Sequence, residues 1–144
     1  MYKRQAYSSA PGRLALCAPR THGYHDRLSE TAPGEGVDTL DLRASKMGAL
    51  ADLNVCRLGY FGTTALSQTF AIENVWGTRF NDRLAGDDDN NYLFGGAGTD
   101  WFAAGGGVDV IKAADREVDT INCSLGTDSG SKDANDVLAG YPCG

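Results

Sequence analysis

The sequence predicts an all-β chain wound as a parallel β-roll, a β-helix-like solenoid of nonapeptide repeats that follows an irregular N-terminal segment. Two observations carry this expectation. From Gly77 onward a glycine-rich turn, an Asp or Asn and an apolar residue return in fixed register every nine residues. The acidic charge sits in the same stretch: residues 77–144 hold five Lys/Arg against twelve Asp/Glu, residues 1–76 hold eight against seven, and the resulting −7 and +1 make up the net −6 of the chain.

The 144 residues are enough for one domain. Residues 1–35, with Pro11, Pro19 and Pro33 among scattered charges, read as irregular or disordered. The opening Met1-Tyr2-Lys3-Arg4-Gln5 has the look of a translated library adapter, so the chain is expected to be an N-terminally truncated fragment, with residues 1–35 partly artefactual. Residues 36–76 read as irregular β coils leading into the repeats. Val37-Asp38-Thr39-Leu40-Asp41-Leu42 alternates like a strand, and Ala51–Val55 and Phe70–Val75 are further short candidates.

Four ungapped blocks follow: GTRFNDRLA (77–85), GDDDNNYLF (86–94), GGAGTDWFA (95–103) and AGGGVDVIK (104–112). Their sixth position reads Asp82, Asn91, Asp100 and Asp109, and their eighth Leu84, Leu93, Phe102 and Ile111. One inserted residue within 113–122 keeps Asp119 and Ile121 in the same roles. Residues 123–131 retain Gly126 and Asp128 but place Gly130 where an apolar residue belongs, so the repeat is expected to fray there. The roll is thus assigned to 77–131 and a C-terminal cap to 132–144, where Asp133, Asp136 and Val137 show no repeat register of their own.

Six glycine-rich residues make a turn and three make a very short strand whose middle side chain points inward. Two blocks complete one coil, so Gly77–Asp82 is expected to stack on Gly95–Asp100, and Gly86–Asn91 on Ala104–Asp109. Side-chain and carbonyl oxygens then converge between stacked turns. That suits Ca2+, which takes six to eight oxygens at about 2.3–2.6 Å, better than Mg2+, which demands a strict octahedron. The candidate ligands are Asp82, Asp87, Asn91, Asp100, Asp109, Asp119 and Asp128, with turn contributions from Gly77, Gly95, Gly96, Gly98, Gly105 and Gly107. Unscreened, the stacked carboxylates repel, and a core of Leu84, Leu93, Phe102, Ile111 and Ile121 is thin, so binding energy is expected to act as folding energy.

These blocks resemble the RTX, or hemolysin-type calcium-binding, repeat family. IENVWGTRFND (72–82) is similar to that family's usual approach to its repeats, and DTINCSLGTD (119–128) with DANDVL (133–138) and Cys143 resembles the terminal segment of actinobacterial members. The resemblance implies a parallel β-roll with calcium in its turns, secretion, and folding in an extracellular medium. The sequence departs from the pattern at Asp89 and Ala104, which replace glycines, at Asn91, which replaces a carboxylate, and at Ser124, which follows the cysteine where glycine is usual. A disulfide between Cys123 and Cys143 would hold the cap over the frayed end, both by resemblance and because an open roll end exposes strand edges. Cys17 and Cys56 remain competing partners.

The charge distribution disfavours nucleic acid, which needs a basic surface. No run of 18 apolar residues offers a membrane span. The four cysteines form no CxxC pair, His22 and His25 have no HExxH context, and no GxSxG is present, so the chain reads as no enzyme. Trp76 and Trp101 are candidates for an exposed glycan platform, although an outward Trp101 more often packs on a neighbouring coil. Two other functions compete with a non-catalytic calcium module. One is the calcium-binding or secretion module of a larger secreted protease, lipase or toxin whose catalytic part lies upstream. The other is a metal-independent structural or adhesive protein.

Overall fold

The computed structural model describes residues 28–29, 37, 39–55, 57–60, 66–67, 72–124 and 127–140, and every regular element among them is a β-strand. The N-terminal strands are β1 (Leu28–Ser29), β2 (Thr39–Asp41), β3 (Ala49–Asp52), β4 (Arg57–Tyr60), β5 (Leu66–Ser67) and β6 (Asn74–Trp76). The repeats add β7 (Arg83–Ala85), β8 (Tyr92–Phe94), β9 (Trp101–Ala103), β10 (Val110–Lys112), β11 (Thr120–Asn122), β12 (Ser129–Ser131) and β13 (Val137–Leu138). From β6 onward, successive strands alternate between two sheets, of order β1-β2-β6-β8-β10-β12 and β13-β11-β9-β7-β3-β4-β5. The pairing is parallel throughout the repeats, as a coil that always advances the same way requires. This is the parallel β-roll expected from the nine-residue period.

The register follows the blocks. Leu84 lies opposite Phe102 and Leu93 opposite Ile111, each two blocks on. The inserted residue moves the next pairs to Phe102 with Ile121 and Ile111 with Gly130. Each repeat strand from β7 to β11 buries its middle residue and turns its first and third outward. One inner row is therefore Leu40, Val75, Leu93 and Ile111, and the facing row is Ala51, Leu84, Phe102 and Ile121, all at most 1 % exposed. Fully burying such a side chain contributes roughly 1.5–3 kcal/mol, whereas ordering each backbone residue costs about 1–2 kcal/mol. With one large apolar side chain for every nine residues, packing alone falls short.

The candidate strands in 36–76 are present with shifted bounds, and Asn74–Trp76 already lies in repeat register, opposite Tyr92–Phe94. Three strands depart from the sequence reading. Residues 28–29, within the segment read as irregular, pair antiparallel with β2, and β4 and β5 add antiparallel strands beyond β3. At the other end, Val137 and Leu138 pair in parallel with Thr120 and Ile121. Residues 132–138 thus have a repeat register and continue the roll. Their turn is one residue shorter than the rule, which hides the register from a nine-residue count.

Trp101 is half-buried on the outer face, with the guanidinium of Arg83, its cross-strand partner, 3.9 Å from the ring centroid. Arg43 covers Trp76 in the same way at 4.2 Å and also pairs with Asp41 at 2.7 Å. Capped rings of this kind do not form an open glycan platform. Pro11, Pro19, Pro33, His22, His25, Cys17, Cys56, Phe70, Gly126 and Cys143 lie outside the described residues. Cys123 occupies the first position of its block, is 1 % exposed within the core and is not a free cysteine. Among the described residues, no helix is long and apolar enough to cross a membrane.

Candidate metal centre along the two edges

The turns between strands form two edges, and the blocks decide which turns meet. Ala97 N–H donates to the Thr78 carbonyl at 3.4 Å and Thr99 N–H to Asn81 Oδ1 at 3.0 Å, so the turn 77–82 stacks on 95–100. Gly106 N–H donates to the Asp87 carbonyl at 2.7 Å and Val108 N–H to Asn90 Oδ1 at 2.8 Å, so 86–91 stacks on 104–109. Glycine is what allows this approach. Gly96, Gly98, Gly105 and Gly107 all adopt positive φ. A Cβ on Gly105 would overlap the Asp87 carbonyl oxygen, and one on Gly95 would overlap Asp100 Oδ2. Gly77 similarly faces Asp82 Oδ2 at 2.5 Å from an ideal Cβ. The chain breaks the rule at Arg116 (φ 83°) and Ser124 (φ 54°), which hold left-handed conformations without being glycine.

The sixth-position residues Asp82, Asn91, Asp100, Asp109, Asp119 and Asp128 are buried, none more than 4 % exposed. Each carboxylate reaches back two blocks to accept a backbone amide. Along one edge Ala49 N–H donates to Asp82 Oδ1, Asp82 N–H to Asp100 Oδ1, and Asp100 N–H to Asp119 Oδ1, all at 2.7 Å. Asp119 N–H continues the series to Asp136 Oδ1 at 3.0 Å. On the other edge Asn91 N–H donates to Asp109 Oδ1 at 2.7 Å and Asp109 N–H to Asp128 Oδ1 at 3.0 Å. Asn91 heads that edge, with its Oδ1 accepting Asp87 N–H at 2.8 Å and its Nδ2 donating to the Glu73 carbonyl at 3.4 Å. Asp87 is half-buried and closes its own turn by accepting Asp89 N–H at 2.9 Å.

At Asp82 both oxygens accept bonds, Oδ2 taking Thr78 N–H, whereas at Asp109, Asp119 and Asp128 only one oxygen is used and the second is the candidate ligand. Asp109 Oδ2, Asp119 Oδ2 and Asp128 Oδ2 are buried with no hydrogen-bond partner, as is Asp115 Oδ2. Orphaned buried carboxylate oxygens are costly and call for a proton or a cation. Among the described residues no three Asp, Glu, His or Cys side chains gather into one compact cluster. Carboxylates strung along an edge suit a hard cation that completes its shell with carbonyl and water oxygens, which describes Ca2+ and not Zn2+. On this test the residues present fit calcium.

Electrostatics point the same way. Burial pushes the Asp100 carboxyl up to about 8, with Asp82, Asp119 and Asp115 adding repulsion. Burial likewise raises Asp109 to about 6, helped by Asp128 and Asp87, and Asp119 to about 6, helped by Asp115, Asp136 and Asp133. Asp82 is raised too, chiefly by burial. The sequence reading did not include Thr78, whose N–H and Oγ1 both donate to Asp82 at 2.5 and 2.9 Å. It also missed Asp115, Asp133 and Asp136. Asp115 accepts Glu117 N–H at 2.8 Å in the same two-residue turn that Asp87 makes with Asp89, a signal masked by the inserted residue.

Two outcomes follow from this geometry. Asp100→Ala should weaken calcium binding by at least tenfold in a calorimetric titration, because it removes a buried carboxylate and strands the Asp82 amide, a loss of about 1.4 kcal/mol or more. Asp88→Ala, at an exposed turn position, should change it less than twofold; equal losses would mean that the register of the site is wrong. The second outcome concerns pH. A carboxyl raised in the folded state favours the metal-free fold below its ordinary value near 4, and that contribution is lost as pH climbs through 6 and 8. The metal-free roll should therefore lose β signal between pH 4 and 8, while calcium affinity, which needs ionised carboxylates, rises across the same window. A calcium affinity independent of pH over that range would contradict the assignment.

Comparison with known families places the same stretch. Residues 76–111 match the RTX calcium-binding nonapeptide repeat in four copies. No curated protein matches the chain. The match coincides with the four blocks of 77–112, which the structure winds into a parallel β-roll with stacked turns, and it indicates calcium binding by that roll.

Proposed function

We propose that the chain is a secreted, non-catalytic calcium-binding module that folds when it binds metal. The observation that carries this reading is the series of buried sixth-position carboxylates, of which Asp109, Asp119 and Asp128 each keep a second oxygen with no hydrogen-bond partner. Their repulsion and desolvation oppose folding, and one large apolar side chain per block does not offset the cost. Calcium reverses the sign of that balance, so its binding free energy becomes folding free energy. A medium rich in calcium outside the cell would then act as the trigger for folding. The same orphaned oxygens argue against a metal-independent structural role. Circular dichroism of the full chain provides the test: largely coil in chelator, and β-rich in millimolar calcium, with equimolar magnesium producing much less. A spectrum already β-rich in chelator and unmoved by calcium would overturn the proposal.

Secretion also bears on the cysteines. We propose that Cys123 is paired with Cys143, tying residues 139–144 to the last coils in an oxidising compartment. Such a cross-link would contribute roughly 3 kcal/mol by restricting the unfolded chain. Non-reducing peptide mapping should return a linked 123–143 peptide pair; a link from Cys123 to Cys17 or Cys56 would refute the pairing.

A further inference from the structure

The outer face of the sheet that contains β2, β6, β8 and β10 is apolar in its middle and charged at its ends. Strand register aligns its outward side chains in two rows. One row runs Thr39, Asn74, Tyr92 and Val110, and the other Asp41, Trp76, Phe94 and Lys112. Val37 and Val108, two residues ahead of β2 and β10, are 67 % and 52 % exposed. The second row thus begins with an acid on β2, passes through two aromatic rings and closes with a base on β10. Three strand spacings, about 14 Å in all, separate Asp41 from Lys112, so the two cannot pair within one chain. Asp41 holds Arg43, which lies over Trp76, whereas among the described residues the Lys112 side chain forms no ion pair.

We propose that this face is the contact between two copies of the chain, related by a two-fold axis that runs parallel to the strands midway between β6 and β8. Such an axis turns the face over and reverses the strand order while keeping strand direction. β2 then opposes β10 of the second copy, and β6 opposes its β8. Val37 meets Val108, Trp76 meets Phe94, and Asp41 meets Lys112, each contact occurring twice as an isologous interface requires. The charge order selects a second copy over any other occupant: a row reading acid, aromatic, aromatic, base is complementary to its own reverse. Sheets opposed in this way pack aligned, about 10 Å apart. Arg43 enters the contact flat on Trp76 with its charge already held by Asp41, and aromatic and Arg side chains are the ones favoured in such interfaces. Between Val37 and Val108 the surface recedes into a groove lined by Glu73, Asp88 and Asp89. The grooves of the two copies face each other across water, which keeps those carboxylates apart. With three residues per strand the face is narrow, so the dimer is weaker than one held by a standard interface of about 800 Å² a side.

Sedimentation equilibrium of the full chain in millimolar calcium, from micromolar to millimolar protein, tests the proposal. The parent chain should pass from monomer to dimer within that range and form nothing larger, because a two-fold contact closes on itself. Lys112→Asp and Asp41→Lys should each weaken the dimer at least tenfold, and the double variant should recover most of that loss. All three keep the calcium-bound β signal by circular dichroism, since both positions point away from the core. A parent chain that stays monomeric at millimolar concentration, or that grows beyond a dimer, would overturn the proposal. So would single variants that dimerise like the parent, or a double variant no better than either single one.

Discussion

Each sixth-position carboxylate accepts the backbone amide of its counterpart two blocks earlier, and the architecture of the roll is arranged around that bond. It spans adjacent coils, so it can form only when the turns stack in register. It also consumes one oxygen and, at Asp109, Asp119 and Asp128, leaves the other buried without a partner. Glycine at the first, second and fourth positions follows from this demand: the Asp100 carboxylate lies where a Cβ on Gly95 would be, and the Asp87 carbonyl lies where one on Gly105 would be. The edges are therefore polar, close-packed and negatively charged by construction.

The interior is the counterpart of those edges. Strands of three residues present one side chain inward, so the core is a double row of single residues and not a layered interior. Such a core fixes register, because a slip by one residue would turn every apolar side chain outward, yet it supplies little free energy for the chain length it orders. Stability must come from whatever satisfies the orphaned oxygens. On the proposed reading, fold and metal binding are a single equilibrium, with the carboxylates as the coupling.

Much of this was legible in the residues. The nine-residue register correctly aligned Leu84 with Phe102 and Leu93 with Ile111, stacked the turns 77–82 and 95–100, and located the one-residue insertion before Asp119. It failed where local spacing changes. The turn before Val137 is a residue short and has no glycine at its start, so Asp136 was read as cap although it occupies the same structural role as Asp119. Thr78 was passed over because nothing in a turn sequence shows that a hydroxyl two residues into a block will face the carboxylate at its sixth position. The antiparallel strands at Arg57–Tyr60 and Leu66–Ser67 carry no alternation strong enough to announce them. Their pairing comes from the open edge of Ala49–Asp52, a tertiary cause.

The central proposal is that, at neutral pH, the amide-to-carboxylate series forms only when calcium holds the carboxylates together. Residue-resolved hydrogen exchange at the amides of Asp82, Asn91, Asp100 and Asp109 measures it directly, since these are the donors of the series. The account predicts exchange at near-coil rates in chelator at neutral pH, and strong, concerted protection of all four amides once calcium is added. Protection of these amides in chelator, at the level seen with calcium, would contradict it.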